Sequence, residues 1–239
     1  PMTPRFKLSW FLCFVLSISL DCWAFEEGNP SNRETLWQEF MNQGKQHRER
    51  RRFSDAEKNY LAALSAAQQF GSEDSRVAAS LNALATTYHE QGRYTEADLT
   101  YHKALTLWET LGPQSEDVAI CMNNLAKLYQ DQGQFAQAEP LLKRALAIEE
   151  KLLGCGELEQ AESLDYLGHL YSAQGLYPQA GPPYRQSLAI REEALKSDDP
   201  QLAVSFHSLG QLYFRLGRYA EAESLHRKAI HSRTPALCE

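Results

Sequence analysis

A recurring frame of tyrosine, glycine, aromatic and alanine residues constrains this chain more than any other feature. The stretch "YQDQGQFAQAE" at Tyr129–Glu139 has counterparts at Tyr88–Asp98, Tyr171–Gly181 and Tyr213–Glu223. The glycines of the four stretches are 41, 42 and 42 residues apart, and a weaker copy lies upstream around Gly44. A fixed period of about 20 to 50 residues is the signature of stacked repeats, in which each unit contacts its neighbours. The sequence therefore predicts five copies between residues 33 and 232.

Each copy has the pattern of two helices joined by a tight turn. In "VAICMNNLAKLYQDQG" the apolar residues recur at intervals of three and four, which is helical spacing. Gly133 then permits a turn with positive φ, and the helical period resumes in "FAQAEPLLKRALAIEEKLL". Ala126 and Ala138 allow the helices to approach closely, and Tyr129 and Phe135 fill the wedge that remains. The fixed positions are thus predicted to be helix contacts, whereas the variable positions face water or a partner.

Domain boundaries follow from this period. We predict a signal peptide at 1–24, a linker at 25–32, a repeat array at 33–232 and a tail at 233–239. The repeats within the array are 33–74, 75–117, 118–159, 160–201 and 202–232. In the fourth repeat, Pro182 and Pro183 predict that the second helix is shortened or kinked, because proline lacks an N–H donor and clashes with the preceding turn.

The N-terminal residues have the layout of a secretory signal peptide. Basic residues precede the apolar run Leu8–Leu20, and small residues at Cys22 and Ala24 suit a peptidase site. Cleavage there gives an exported protein, periplasmic or secreted, that begins near Phe25 and contacts the membrane only through this segment. The run is too short for a membrane span, since it covers about 20 Å of a ~30 Å core. An uncleaved anchor and a leader foreign to the natural chain are the alternatives, and Asp21 disfavours lipid attachment at Cys22.

Composition and motifs argue against several classes of function. A net charge of −7 does not provide the basic face of a nucleic-acid-binding protein. The five cysteines contain no CxxC pair, and the seven histidines contain no HExxH motif. Phosphate-binding glycine loops and a GxSxG motif are also missing from the sequence. We therefore expect no enzyme activity, no cofactor, no metal and no small-molecule substrate. Cys121 is expected to be a buried helix residue, and Cys155 and Cys238 could pair with each other.

The residues of the repeated frame resemble the tetratricopeptide repeat, and the resemblance covers nearly all of the chain beyond the predicted signal peptide. The resemblance rests on Leu125, Ala126, Tyr129, Gly133, Phe135, Ala138 and Ala145. The usual repeat has about 34 residues, whereas the longer period and the "NNLA" of the first helix resemble the kinesin light chain type. This resemblance implies an all-α fold, a right-handed α-solenoid of about five helix-turn-helix repeats. It also implies a non-catalytic scaffold that binds a protein or peptide segment in a concave groove.

The same resemblance implies which side chains line that groove, because defined positions of each first helix face it. The candidates are Lys45 and Arg48 in repeat 1, Asn82, Thr86 and His89 in repeat 2, Asn123, Asn124 and Lys127 in repeat 3, Asp165 and His169 in repeat 4, and His207 and Gln211 in repeat 5. In kinesin-light-chain-like repeats the first-helix asparagines hold the backbone of an extended peptide, since an amide offers both donors and an acceptor. Solvated or helix-packing asparagines are the alternative.

Three other interpretations stay open. A structural assembly subunit that self-associates through an uncapped C-terminal repeat is the second hypothesis, since Leu225 and Ile230 belong to a face that would meet a further repeat. The basic run Arg48–Arg52 suits an acidic peptide or an anionic lipid, or is simply a solvated turn. A metal site would require three groove histidines to converge, and solvated histidines are the simpler expectation.

Overall fold

The structure is a computed structural model that describes residues 30–153 and 158–233. Every regular element in these two stretches is an α-helix, which confirms the predicted all-α fold. In chain order the helices are α1 Pro30–Glu49, α2 Phe53–Gln68, α3 Ser75–Glu90, α4 Tyr94–Leu111, α5 Glu116–Asp131, α6 Phe135–Leu153, α7 Leu158–Ala173, α8 Tyr177–Ala194, α9 Pro200–Arg215 and α10 Tyr219–Arg233. The predicted signal segment, Cys155 and Cys238 lie outside the described residues. Helix α1 begins at Pro30, within the range predicted as a linker.

The chain divides into two compact units, the first ending at Arg93 and the second beginning at Tyr94. In the first unit α1 packs against α2, and α2 packs against α3. In the second unit each helix from α4 to α10 packs against the next in sequence, and α5 also contacts α7. Contact between helices that follow each other in the chain is the packing of tetratricopeptide-like hairpins. None of the described helices is both long and apolar enough to cross a membrane.

The glycine of each repeated frame ends a first helix in the left-handed backbone conformation. These glycines share a φ of 72° to 75°, and they are Gly92, Gly133, Gly175 and Gly217. After α5 the N–H of Gln134 donates to the carbonyl of Tyr129 at 2.8 Å, and the N–H of Gly133 donates to that of Gln130 at 2.9 Å. This pair of bonds is a Schellman motif, which satisfies carbonyls that a helix end would otherwise leave without a donor. The constant glycine of the frame follows from this motif, because glycine adopts a positive φ without strain.

The small residues of the frame are buried in the contact between the first and second helices, as the sequence predicts. Ala126 of α5 and Ala138 of α6 are fully buried in one apolar cluster with Leu142. Tyr129 and Phe135 pack against the edge of this cluster and are partly buried. These contacts hold the first and second helices of a repeat together. They use one face of the first helix, so its other face can carry the candidate binding residues.

The second helix of the fourth repeat is not shortened, which makes that part of the prediction wrong. Helix α8 contains Pro182 and Pro183, yet it has 18 residues, as does α4. Two prolines remove two backbone donors from the helix. Pro183, Tyr184 and Leu188 are buried, and α8 is packed between α7 and α9. Burial of this face therefore maintains a helix that local propensity disfavours, since most helical stability in proteins comes from packing.

Candidate functional site

In the first unit the candidate residues lie on α1 and α3. Lys45 is exposed, Arg48, Asn82 and Thr86 are half-buried, and His89 is buried. The guanidinium of Arg48 forms an ion pair with Glu90 at 2.9 Å, which joins the ends of α1 and α3. The Thr86 hydroxyl donates to the carbonyl of Asn82 at 3.0 Å, so it is used within its own helix. Among these five residues, Lys45 presents the most accessible charge.

In the second unit an acidic cleft brings candidates of the fourth repeat together with residues of the fifth. The acidic cleft has a volume of about 540 Å³ and is lined by Glu159, Glu162, Asp165, His169, Arg191 and Val204, among others. The predicted pair Asp165 and His169 therefore faces one cavity, next to two further carboxylates on α7. The Tyr166 hydroxyl donates to Glu162 at 2.9 Å, which orients that carboxylate within the lining.

A smaller cleft of about 310 Å³ contains the candidates of the fifth repeat, His207 and Gln211. The amide nitrogen of Gln211 lies 2.9 Å from Nε2 of His207, and the His207 and His226 rings are 5.2 Å apart. On α5, Lys127 is exposed and Asn124 is half-buried. Across the described part of the chain, no three histidine, cysteine or acidic side chains are placed to hold a metal ion.

Asn123 lies in a buried polar network rather than on an open surface. It is 7% exposed, and its Nδ2 donates to the Ser163 hydroxyl at 2.6 Å and, more weakly, to Oε1 of Glu149 at 3.4 Å. The Ser163 hydroxyl in turn donates to the same Glu149 oxygen at 2.7 Å. The network connects α5, α6 and α7. The amide nitrogen of Asn123 therefore serves helix packing, while its buried Oδ1 has no hydrogen-bond partner.

The same three positions form a second network one repeat later. Asp165, Arg191 and Ser205 each follow their counterparts Asn123, Glu149 and Ser163 by 42 residues. Nη1 of Arg191 lies 2.5 Å from the Asp165 carboxylate and 2.6 Å from the Ser205 hydroxyl. Arg191 is only 7% exposed. In both networks a charged side chain of the second helix contacts the candidate site residue of the first helix, Asn123 or Asp165.

Sequence reasoning missed Glu149, Arg191 and the two serines. A signal was present, because charged residues at 149 and 191 recur in phase with the repeat, each directly after a buried isoleucine. Cys121 stands one period before Ser163 and is fully buried, as predicted. Burial raises the pKa of the Cys121 thiol to about 12, so it stays protonated and unreactive at neutral pH.

The buried carboxyl of Glu149 predicts a specific pH dependence of stability. Burial raises its pKa above the ordinary value of 4.5, and the neighbouring Glu162 and Glu159 add to that rise. A raised pKa means that the folded state favours the neutral acid. The resulting stabilisation is complete below about pH 4.5 and is lost as pH rises through the folded-state pKa. Because glutamine mimics the neutral acid, Glu149→Gln is expected to match or exceed the wild type in stability at neutral pH, with less advantage in acid.

Urea unfolding of both proteins between about pH 4.5 and pH 8 measures this difference. The matched control is Glu150→Gln, which removes the neighbouring, exposed carboxylate of the same helix and should leave the pH dependence unchanged. Parallel pH profiles for the wild type and Glu149→Gln would contradict the role assigned to Glu149.

Comparisons with known proteins place this geometry among repeat proteins. A family model described as Tetratricopeptide repeat matches residues 39–100, 77–151 and 159–233. The crystal structure of BtubC (BKLC) from P. vanneervenii is 26% identical, with a TM-score of 0.77 over 89% of this chain and 85% of that chain. A putative kinesin light chain with TPR-like repeats from Podosopora anserina is 23% identical, with a TM-score of 0.68 over 89% of this chain and 100% of that chain. A Rap protein complexed with Competence and Sporulation Factor is 20% identical, with a TM-score of 0.71 over 82% of this chain and 54% of that chain. No curated protein matches the sequence.

Proposed function

Because this chain belongs to the tetratricopeptide repeat family, we propose that it is a non-catalytic scaffold that binds a peptide segment on the first-helix face of its second unit. Proteins built from this repeat are generally scaffolds for protein partners. The fold accommodates such complexes, since a Rap protein of similar fold was solved with Competence and Sporulation Factor. For this chain the partner is a segment that carries lysine or arginine.

The acidic cleft is the observation that carries this proposal. Its volume of about 540 Å³ falls in the range of ligand pockets, roughly 300–1,000 Å³. Arg191 offsets the charge of Asp165, so Glu159 and Glu162 supply the net negative charge of the lining. Complementary charge speeds encounter and selects the partner, and a cationic side chain is the complement here. Lys127 of the preceding first helix lies on the predicted groove face and would favour an acidic residue further along the same segment.

Selection from a displayed library of random linear peptides tests the proposal. We expect enriched peptides to contain lysine or arginine and to bind with roughly micromolar affinity, about 8 kcal/mol. The double variant Glu159→Gln/Glu162→Gln should weaken their binding about tenfold, which corresponds to about 1.4 kcal/mol. The matched control is Glu150→Gln/Glu193→Gln, which removes the same charge from exposed positions of second helices. Equal losses in both variants, or no enrichment of basic peptides, would overturn the proposal.

Self-association is a second candidate function, favoured by exposed apolar side chains in the last hairpin. Phe214, Tyr219 and Ile230 are 58%, 64% and 62% exposed. The Phe214 and Tyr219 rings contact each other edge to face, with centroids 5.4 Å apart. Exposed apolar groups that lie together are typical of protein contact sites. Sedimentation equilibrium distinguishes the two functions, because an assembly subunit forms oligomers that Ile230→Lys and Phe214→Ser dissociate.

We further propose that the protein is exported, because residues 1–24 have the layout of a signal peptide. Expression of the full chain in a host with an export pathway, followed by N-terminal sequencing of the product, tests it. A mature protein that begins near Phe25 supports export, whereas retention of the leader in the soluble fraction contradicts it.

A further inference from the structure

The turn between α1 and α2 differs from the other hairpin turns in the residue that takes the left-handed backbone conformation. Arg51 has φ 57°, in the left-handed region, whereas the equivalent position of every other described hairpin is a glycine. The Schellman bonds are the same, since Arg51 N–H donates to the Arg48 carbonyl and Arg52 N–H donates to the His47 carbonyl, each at 2.8 Å. A side chain with a Cβ atom is disfavoured in this conformation, and glycine is not. The chain thus places a long cationic side chain where the backbone prefers none.

The turn concentrates positive charge on an accessible surface. Arg50, Arg51 and Arg52, the arginine turn, are all exposed. The guanidinium carbon of Arg51 lies 5.7 Å from the centre of the Phe53 ring. Beside it is a cavity of about 360 Å³, lined by Arg48, Glu49, Arg51, Phe53 and Glu90. Strained backbone that persists against its energetic preference is characteristic of functional sites, where the side chain is needed in that place.

We propose that the arginine turn is a second interaction site, which binds an acidic segment of a protein partner. A guanidinium presents its N–H groups as a planar fork that matches a carboxylate in two parallel hydrogen bonds. An extended acidic segment places one carboxylate at Arg51, over the cavity, and further ones at Arg50 and Arg52. Glu49 and Glu90 line the same cavity, where Arg48 already pairs with Glu90 at 2.9 Å. A flexible segment can turn its carboxylates away from Glu49, whereas a flat anionic bilayer cannot. The site lies in the first unit and does not depend on the acidic cleft of the second.

Binding of a fluorescent oligoglutamate peptide to the full-length protein tests the proposal. The wild type is expected to bind the peptide in low salt and to release it as salt rises. Arg51→Gly should weaken binding about tenfold and at the same time raise the melting temperature by about 2–4 °C. Because this variant gains stability, its loss of binding cannot result from unfolding. Arg51→Lys keeps both charge and backbone strain but lacks the planar fork, so it should bind the peptide more weakly than the wild type and more tightly than Arg51→Gly, without the gain in melting temperature.

Two controls complete the experiment. Arg185→Gln removes an exposed arginine from α8 and should leave peptide binding unchanged. Vesicles of phosphatidylcholine with phosphatidylserine report on membrane binding. Wild-type affinity for oligoglutamate in Arg51→Gly would overturn the proposal, as would binding of vesicles in the absence of peptide binding. A fall in melting temperature for Arg51→Gly would contradict the strain on which the inference rests.

Discussion

Replacement of Arg191 by methionine is expected to lower the free energy of unfolding by about 3–5 kcal/mol, the usual effect of removing one partner from a buried ion pair. The side chains of Arg191 and Asp165 are only 8% and 14% exposed. Methionine fills much of the volume of arginine but leaves the Asp165 carboxylate without its cation. Ser205 also loses the guanidinium that its hydroxyl contacts at 2.6 Å. Urea unfolding followed by circular dichroism measures the change.

Two further variants separate charge from volume in that prediction. Arg185→Met makes the same substitution at an exposed position of α8 and should change stability by less than about 0.5 kcal/mol. The double variant Asp165→Leu/Arg191→Met removes both charges and should recover most of the loss, because a buried ion pair contributes little compared with apolar residues of similar size. A loss below about 1 kcal/mol for Arg191→Met would show that the pair does not hold α7 and α8 together.

Replacement of Tyr184 by alanine is expected to lower the free energy of unfolding by about 3–5 kcal/mol, the range for deletion of a large buried ring. Tyr184 is 3% exposed, and its ring lies against α7 where Gly168 has no side chain. A Cβ at position 168 would approach that ring to 2.7 Å, so the glycine and the tyrosine fit one another. The substitution therefore leaves a cavity between α7 and α8 that neighbouring side chains fill only in part.

Tyr184→Phe is the matched control, because it keeps the ring and removes only the hydroxyl. That hydroxyl lies 2.9 Å from Nδ1 of His169, at the edge of the acidic cleft. Its loss should lower the free energy of unfolding by about 0.5–1.5 kcal/mol, the net contribution of one hydrogen bond. Thermal and urea unfolding distinguish the two variants. Equal effects would mean that the hydroxyl, not the ring, accounts for the stability that Tyr184 provides.

Local patterns predicted most of the fold correctly because the decisive interactions are close in sequence. The turn after α5 needs only residues 129–134, whose hydrogen bonds and positive φ form one Schellman motif. The resemblance to the repeat family also implied that Asp165 and His169 share one face, and both line the acidic cleft. The prolines of α8 misled the prediction, since helix propensity is a local preference that packing against α7 and α9 overrides.

The candidate site was only partly predictable, and Asn123 shows why. Its first-helix position favours a groove residue, yet its amide nitrogen is held by Ser163 and Glu149, which are 40 and 26 residues away. Whether a polar side chain turns inward depends on the partners that other helices place beside it. A buried amide without those partners would be unfavourable by several kcal/mol, about 2–7 depending on the reference state. The sequence shows the position but not the partners.

By itself the sequence determined the helical hairpins, their period and the family, because apolar spacing and turn glycines act over a few residues. Only the tertiary structure decided which polar residues of the first helices are committed to the interior and which line a cleft. Hydrogen bonding of buried polar groups depends on distances between helices, as in the contact of Arg191 with Asp165. Only the tertiary structure also distinguished Arg51 from its neighbouring arginines, because the strain at that turn is a property of the backbone angle and not of the arginine side chain.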